Sequence, residues 1–355
     1  MRKIKRRKGK NKVIIITSLC LLLVLTVGYA AFQTNLTLKA KGKIIVLQDL
    51  YVASYGSDAK GNGTREKPYA TIQKAYNMAG DTGSIHILDN ITQKETIDFD
   101  KDKEITLDSV NNNSIIRDSS LTSTLLNIND GTTTFQNITF DGDNVKGKST
   151  LIIASSDINI NSGAVFTNIY SDGSSGNGNT IRMYVSGTLT LNGGEFFNNT
   201  YPNGGGSAIY MQGQNTVLII NDTNIHDNYS KDGAIWSSGQ ITFNNGKIYN
   251  NTSTAGAGGI FNNGIMNMYG GEIYNNKAQY GAGIACGNPK EVSYTTLEYA
   301  ELTINGGKIY NNVASGTAGG SYGGGIYFRK DSKYNYIGGT IENNKPDNIF
   351  RNSYS

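Results

Sequence analysis

Cysteine is nearly absent from this chain. The 355 residues hold two, Cys20 and Cys286. Cys20 lies in an apolar run near the N-terminus, so no disulfide can form within the rest of the chain, and stability must come from packing and backbone hydrogen bonds. Histidine is equally scarce. His86 and His226, with one cysteine outside the leader, cannot assemble a zinc site. No Ser-His-Asp arrangement can be argued. The glycine-rich stretches 256–259 and 316–325 lack the following lysine and helix of a phosphate loop. Proline occurs four times and charged residues make up 17 %, whereas glycine occurs 44 times, a profile that fits a repetitive β architecture better than a helical one.

Charge is concentrated at the start. Arg2, Lys3, Lys5, Arg6, Arg7, Lys8, Lys10 and Lys12 precede an uncharged apolar stretch at 13–32. A basic run before an apolar run is an export signature, since the positive end stays cytoplasmic while the apolar stretch enters the bilayer. Gly28, Ala30 and Ala31 suit cleavage near Ala30, and twenty residues also suffice for a retained membrane anchor. Both alternatives stay open. Setting those eight basic residues aside leaves 24 Lys and Arg against 28 Asp and Glu, a net of −4. A basic excess for nucleic-acid binding is therefore missing.

What the chain does have is a repeat. Ile248-Tyr249-Asn250-Asn251 recurs as Ile273-Tyr274-Asn275-Asn276 and Ile309-Tyr310-Asn311-Asn312, with looser copies elsewhere. The third position reads Asn137, Asn168, Asn198, Asp227, Asn250, Asn275, Asn311 and Asn343, in steps of 31, 30, 29, 23, 25, 36 and 32 residues. A fixed mark at a variable step is the pattern of solenoid coils whose insertions go into loops. Each mark follows an alternating strand such as Ile241-Thr242-Phe243 and a turn that is often Gly-Gly. A third strand such as Ala234-Ile235-Trp236 comes after it. The expectation is an all-β, single-stranded, parallel β-helix with three short strands per coil, right-handed by the general crossover preference. Asn137, Asn168, Asn198, Asn250, Asn275, Asn311 and Asn343 are expected to point inward as a stacked amide ladder, aided by the tolerance of Asn for left-handed backbone.

These motifs carry resemblances. The GGxI and FxxN alternation is similar to polymorphic outer-membrane protein repeats, and the whole resembles the pectate-lyase-like superfamily of right-handed β-helices. The opening Tyr51-Val52-Ala53-Ser54-Tyr55-Gly56-Ser57-Asp58 and Lys67-Pro68-Tyr69-Ala70-Thr71-Ile72-Gln73 resembles the cap that begins many such domains, which implies a short helix near 70–78. The segment Gly28-Tyr29-Ala30-Ala31-Phe32 resembles the leader of Gram-positive biofilm-fibre and camelysin-type proteins. The implied organisation is an export signal or anchor at 1–32, a spacer at 33–49, a first strand and cap helix at 50–80, and the β-helix at 81–355. The superfamily holds lyases, hydrolases and adhesins, so it implies a fold and leaves function open.

Three sets of residues are candidates for chemistry. Asp141, Asp143 and Asp172 form the best acidic cluster. Asp141 and Asp172 each lie four residues past a mark, which would stack them as a calcium or sugar site, or as turn residues. Glu195, Lys247, Glu272 and Lys308 share one outward position and read as a charge ladder. Two outward aromatic rows, Phe197, His226, Tyr249, Tyr274 and Tyr310, and Tyr210, Trp236, Phe261 and Tyr327, would offer rings to sugars or to a protein partner, or else stabilise the faces. The longest insertion, residues 288–300, is a candidate specificity loop.

The expected function is that of an exported, bacterial cell-surface or matrix protein, a non-enzymatic adhesin. Its expected partner is an extracellular polysaccharide or a surface glycan or protein, with the membrane contacted through 13–32 if the leader is retained. The alternative is a polysaccharide lyase or glycoside hydrolase. No cofactor is expected, with calcium the one ion the acidic cluster could serve.

Overall fold

The computed structural model describes residues 48–147, 151–172, 179–287, 297–316 and 323–352. The leader at 1–32, expected to be signal or anchor, lies outside them. Among the described residues no helix is long and apolar enough to cross a membrane.

One coil shows how the chain winds. Ile235–Ser237 forms face A, Gln240–Phe243 face B, Lys247–Tyr249 face C and Thr252–Ser253 a short face D, and Ile260–Asn262 then begins the next coil beside Ile235–Ser237. Every strand pairs in parallel with its counterparts on the neighbouring coils. Faces A and B join into a 20-stranded sheet, partly because Ile181–Leu191 runs through both, while face C holds ten strands and face D five. The parallel β-helix read from the sequence is therefore the fold. Three strands per coil run through the stack; among the described residues the face D strands begin at Thr200–Gly205, and single parallel bridges carry that face back to Tyr170 and Lys146.

Alternation within each strand sends one row inward. On face B the register links Leu107, Phe135, Ile160, Leu191, Ile220, Phe243, Met268 and Ile304. On face C it links Ile115, Phe140, Phe166, Phe196, Ile225, Ile248, Ile273 and Ile309. All of these are buried in one continuous apolar core. Like side chains meet like at the interstrand step, so Phe140, Phe166 and Phe196 stack with centroids 5.1 and 4.7 Å apart. Cys286, the one cysteine among the described residues, sits in this core, and burial pushes its thiol up to about 12.

The helix Ile72–Met78 buries Ile72, Ala75 and Tyr76 against the first coils. Thr71 caps its start by accepting from the Lys74 N–H at 3.1 Å, and Asp58 accepts from the Ala70 and Thr71 N–H groups. At its end the nearly buried Lys103 ammonium donates to the carbonyls of Tyr76 and Ala79 at 2.8 and 2.7 Å, and desolvation lowers its pKa. Tyr76 lies flat on Phe99 at 4.2 Å.

The amide ladder exists, displaced by one residue from its expected position. The eight marks all adopt left-handed backbone, with φ between 48° and 56°. That conformation turns the corner and swings the mark's own side chain outward, so Asn198, Asn250, Asn275, Asn311 and Asn343 are exposed. The residue after the mark points in. Asn199, Asn228, Asn251, Asn276, Asn312 and Asn344 are buried. The Oδ1 of Asn276 accepts both the Asn251 N–H and its Nδ2, each at 3.0 Å, and the Asn276 Nδ2 donates to Ile248 O at 2.9 Å. The ladder begins at Asn199, which accepts from the Ile169 N–H, and ends on Asn348, which accepts from Asn344.

Asn137 departs further. The face C strand of its coil is Thr139–Asp141, which follows it, so Asn137 occupies the corner between faces B and C and its N–H donates to Ser162 O. The counterpart of Asn168 one coil earlier is Gly142.

Replacing Asn276 with Ala removes the side-chain acceptor of the Asn251 N–H, one of the two acceptors of the Asn251 amide, which keeps Ile225 O, and the amide donor to Ile248 O, and should cost about 1–3 kcal/mol in urea unfolding. Asn275→Gly should stay within about 0.5 kcal/mol, since glycine takes the left-handed corner freely. The reverse ranking would return the ladder to the third position.

His86 supplies a pH signature. Its Nδ1 lies 2.5 Å from Asp108 Oδ1 and its Nε2 3.5 Å from Asp49. The hydrogen bond to Asp108 raises the imidazole above 6.5, against the opposing effect of burial. With the folded value above the unfolded one, the stabilisation is complete below the unfolded pKa and is lost as pH rises through the folded one. An NMR titration should find His86 above 6.5, and Asp108→Asn should bring it down.

Candidate functional site

The acidic cluster does not converge. Asp141 pairs in register with Thr167, so Asp172 is not stacked on it. Counting from Asn137 misplaced it, because that mark sits at a different corner. The Asp141 Oδ1 accepts from the Asp143 N–H at 2.8 Å and from the Asn168 side-chain amide at 3.0 Å, which makes it a turn residue. Asp143 itself has φ 49° within that turn. Asp172 pairs with Lys146 at 2.5 Å. Among the described residues no group of three or more His, Cys, Asp and Glu is placed to hold a metal ion.

The first aromatic row lies outward on face C, as expected, and its rings stack on one another. Phe197, His226, Tyr249, Tyr274 and Tyr310 form a continuous pile with centroids 5.4, 4.7, 5.0 and 5.0 Å apart and planes within 10°. A ring stacked on both sides presents only its edge, so the faces of Tyr249 and Tyr274 are closed to a sugar. Burial raises the phenol pKa of Tyr249, Tyr274 and Tyr310, with Tyr274 or Glu272 nearby adding to it. His226 is held further by Asp227 at 2.7 Å and Glu195 at 2.8 Å. This clamp was missed in the sequence, although residue 195 lies diagonal to residue 226 once the coils are aligned.

The second row corrects the expectation of exposure. On face A, Trp236, Phe261 and Tyr327 are only 9, 7 and 8 % exposed. The chain folds back over them. Gly205 lies so close that a Cβ there would fall 2.7 Å from Trp236 Cδ1, and Gly287 approaches Phe261 in the same way. Tyr280 covers Tyr327 at 4.9 Å, and the Arg182 guanidinium lies over Tyr210 at 5.2 Å. Trp236 and Phe261, with Tyr210 and Tyr280 packed against them, form a satellite apolar cluster outside the main core. Most of the insertion at 288–300 lies outside the described residues.

A different feature crosses the coils. At the corner between faces B and C a groove of about 520 Å³ runs past Asp222, Asn245, Lys247, Glu272, Lys308 and Thr340, which belong to five successive coils. Register sets Asn224, Lys247, Glu272, Lys308 and Thr340 side by side. Beside the groove runs an external amide row, in which Asn192 donates to Asn161 at 3.2 Å, Asn221 to Asn192 at 2.8 Å and Asn244 to Asn221 at 2.8 Å. The charge ladder expected here does not close. Lys247 and Lys308 are exposed and form no ion pair or side-chain hydrogen bond among the described residues. Glu272 accepts from the Tyr310 hydroxyl at 3.3 Å.

No family model, curated protein or solved structure matches the chain.

Tyr274→Leu removes two ring contacts and should cost about 1–3 kcal/mol. The raised phenols favour the folded state only below the unfolded value near 10, and their contribution declines as pH rises through the folded values. Stability should therefore decline above pH 10, and the decline should be shallower in Tyr274→Leu, where one raised phenol is gone, although that variant starts from a lower stability at neutral pH.

Proposed function

We propose that this chain is an exported, surface-associated bacterial β-helix protein of the pectate-lyase-like kind, and that it binds a linear extracellular polysaccharide without cleaving it. The site is the groove between faces B and C. One observation carries the reading: the groove spans five coils and is lined by lysines, carboxylates and amides, of which Asp222, Asn245, Lys247 and Lys308 lack side-chain partners among the described residues. Such groups keep their hydrogen-bonding capacity for a ligand, and their spacing repeats with the coils, as a polymer's groups repeat along its chain. The flanking tyrosine stack contributes ring edges and hydroxyls. The leader at 1–32 delivers the chain to the surface and, if uncleaved, holds it there.

A lyase or glycosidase would need a base or paired carboxylates around one sugar. The best such candidates are engaged elsewhere, Asp141 in its turn and Asp172 with Lys146.

The test is affinity chromatography of the whole chain on immobilised polysaccharides, with product analysis of the eluate. Retention without products, reduced in a Lys247→Ala/Lys308→Ala double variant that melts at the parent temperature, supports binding at the groove. Retention unchanged by that variant would move the site elsewhere. Unsaturated or reducing-end products that vanish in Asp141→Ala would make the protein an enzyme.

A further inference from the structure

The three charges in the central row of the groove alternate in sign. Lys247, Glu272 and Lys308 follow one another in register on three successive coils between uncharged Asn224 and Thr340, and Asp222 lines the groove two residues before Asn224. Lys247 and Glu272 are register neighbours, as are Glu272 and Lys308. Even so, neither lysine is paired with the carboxylate beside it or with any other described residue. Both cations are available to a ligand, and they stand two coil steps apart, roughly 10 Å at the usual interstrand spacing.

A sugar in an extended β-linked chain advances by a length similar to one coil step. A chain lying along the groove therefore presents alternate sugars to Lys247 and Lys308, and the sugar between them to Glu272. An acid group on every sugar would set one carboxylate against Glu272 and another against Asp222. Like charges at that range act as the rejecting element in a specific site. Carboxylates on alternate sugars avoid both and meet both lysines, and the intervening sugar can donate its hydroxyl or amide N–H groups to Glu272.

We infer that the groove selects an acidic polysaccharide with a two-sugar repeat, one carboxylate per disaccharide, over a polyuronate with a carboxylate on every sugar. The inference rests on the groove being the binding site.

Calorimetric titration of the whole chain with three polymers tests it: hyaluronan, which alternates a uronate with an acetylated amino sugar; polygalacturonate, acidic at every sugar; and uncharged hydroxyethylcellulose. Hyaluronan should bind tightest and weaken with added salt. Lys247→Ala and Lys308→Ala should each weaken it about two- to fivefold, the scale of an exposed ion pair. Glu272→Gln should raise the affinity for polygalacturonate. If polygalacturonate binds as tightly as hyaluronan, if hydroxyethylcellulose binds best, or if Glu272→Gln leaves the ratio unchanged, the charge register is wrong while the groove survives as a site. Binding of none of the three would remove the groove itself.

Discussion

The buried amide ladder at the corner after face C is the interaction on which the rest depends. A chain leaving a β-ladder strands its N–H and C=O groups where water cannot reach them. Here each buried Asn from 228 to 312 satisfies the corner of the coil before it and is satisfied by the coil after it. Its geometry works only if successive coils sit in register at the interstrand step. Insertions are therefore confined to positions away from the corner, and the coil length can vary while the corner stays fixed. The ladder runs from Asn199 to Asn348, and one coil earlier the buried Ile169 takes the same corner, with its N–H donating to Asn199 and an apolar side chain in place of the amide.

A common step has a second consequence. Whatever side chain recurs at one position must meet its copies at about 5 Å. For flat rings that distance favours stacking, as in the phenylalanines inside face C and the row from Phe197 to Tyr310 outside it. For charged groups it sets neighbours close enough to bond but does not oblige them to, as Lys247 and Lys308 illustrate. The same repetition thus withdraws the aromatic faces from recognition and leaves the charged and amide groups of the adjacent corner available.

Much of this was legible in the sequence. The repeat, the alternating strands, the cap helix and the outward aromatic rows all follow from spacing and side-chain type. The errors share one cause, which is that alternation stops at a corner. In Ile-Tyr-Asn-Asn a strand that simply continued would send the first asparagine inward with the Ile, and the left-handed turn at that residue sends in the second instead. Asn137 has the same residue type and the same backbone sign as the other marks but sits at another corner, so counting from it misplaced Asp141 relative to Asp172. Face A was misread for a different reason. Its outward rings alternate properly, but the glycines that let the chain fold back on them, Gly205 and Gly287, are distant in sequence and reveal nothing by period.

The groove was the least legible feature because it belongs to no single repeat. Its lining comes from Asn-Gly, Gly-Gly and Gly-Lys corners that look like ordinary turns when taken one at a time. Only stacking converts them into a line of groups with a fixed step. On the proposed reading the solenoid recognises by periodicity, and its specificity lies in which positions of the series carry charge and which are left neutral. Substitutions at Asp222, Lys247, Glu272 and Lys308 can change that series without touching the inward residues that hold the coils. On that reading ligand preference and stability are separated within the same few strands, with the inward alternate positions maintaining the core and the outward ones free to vary.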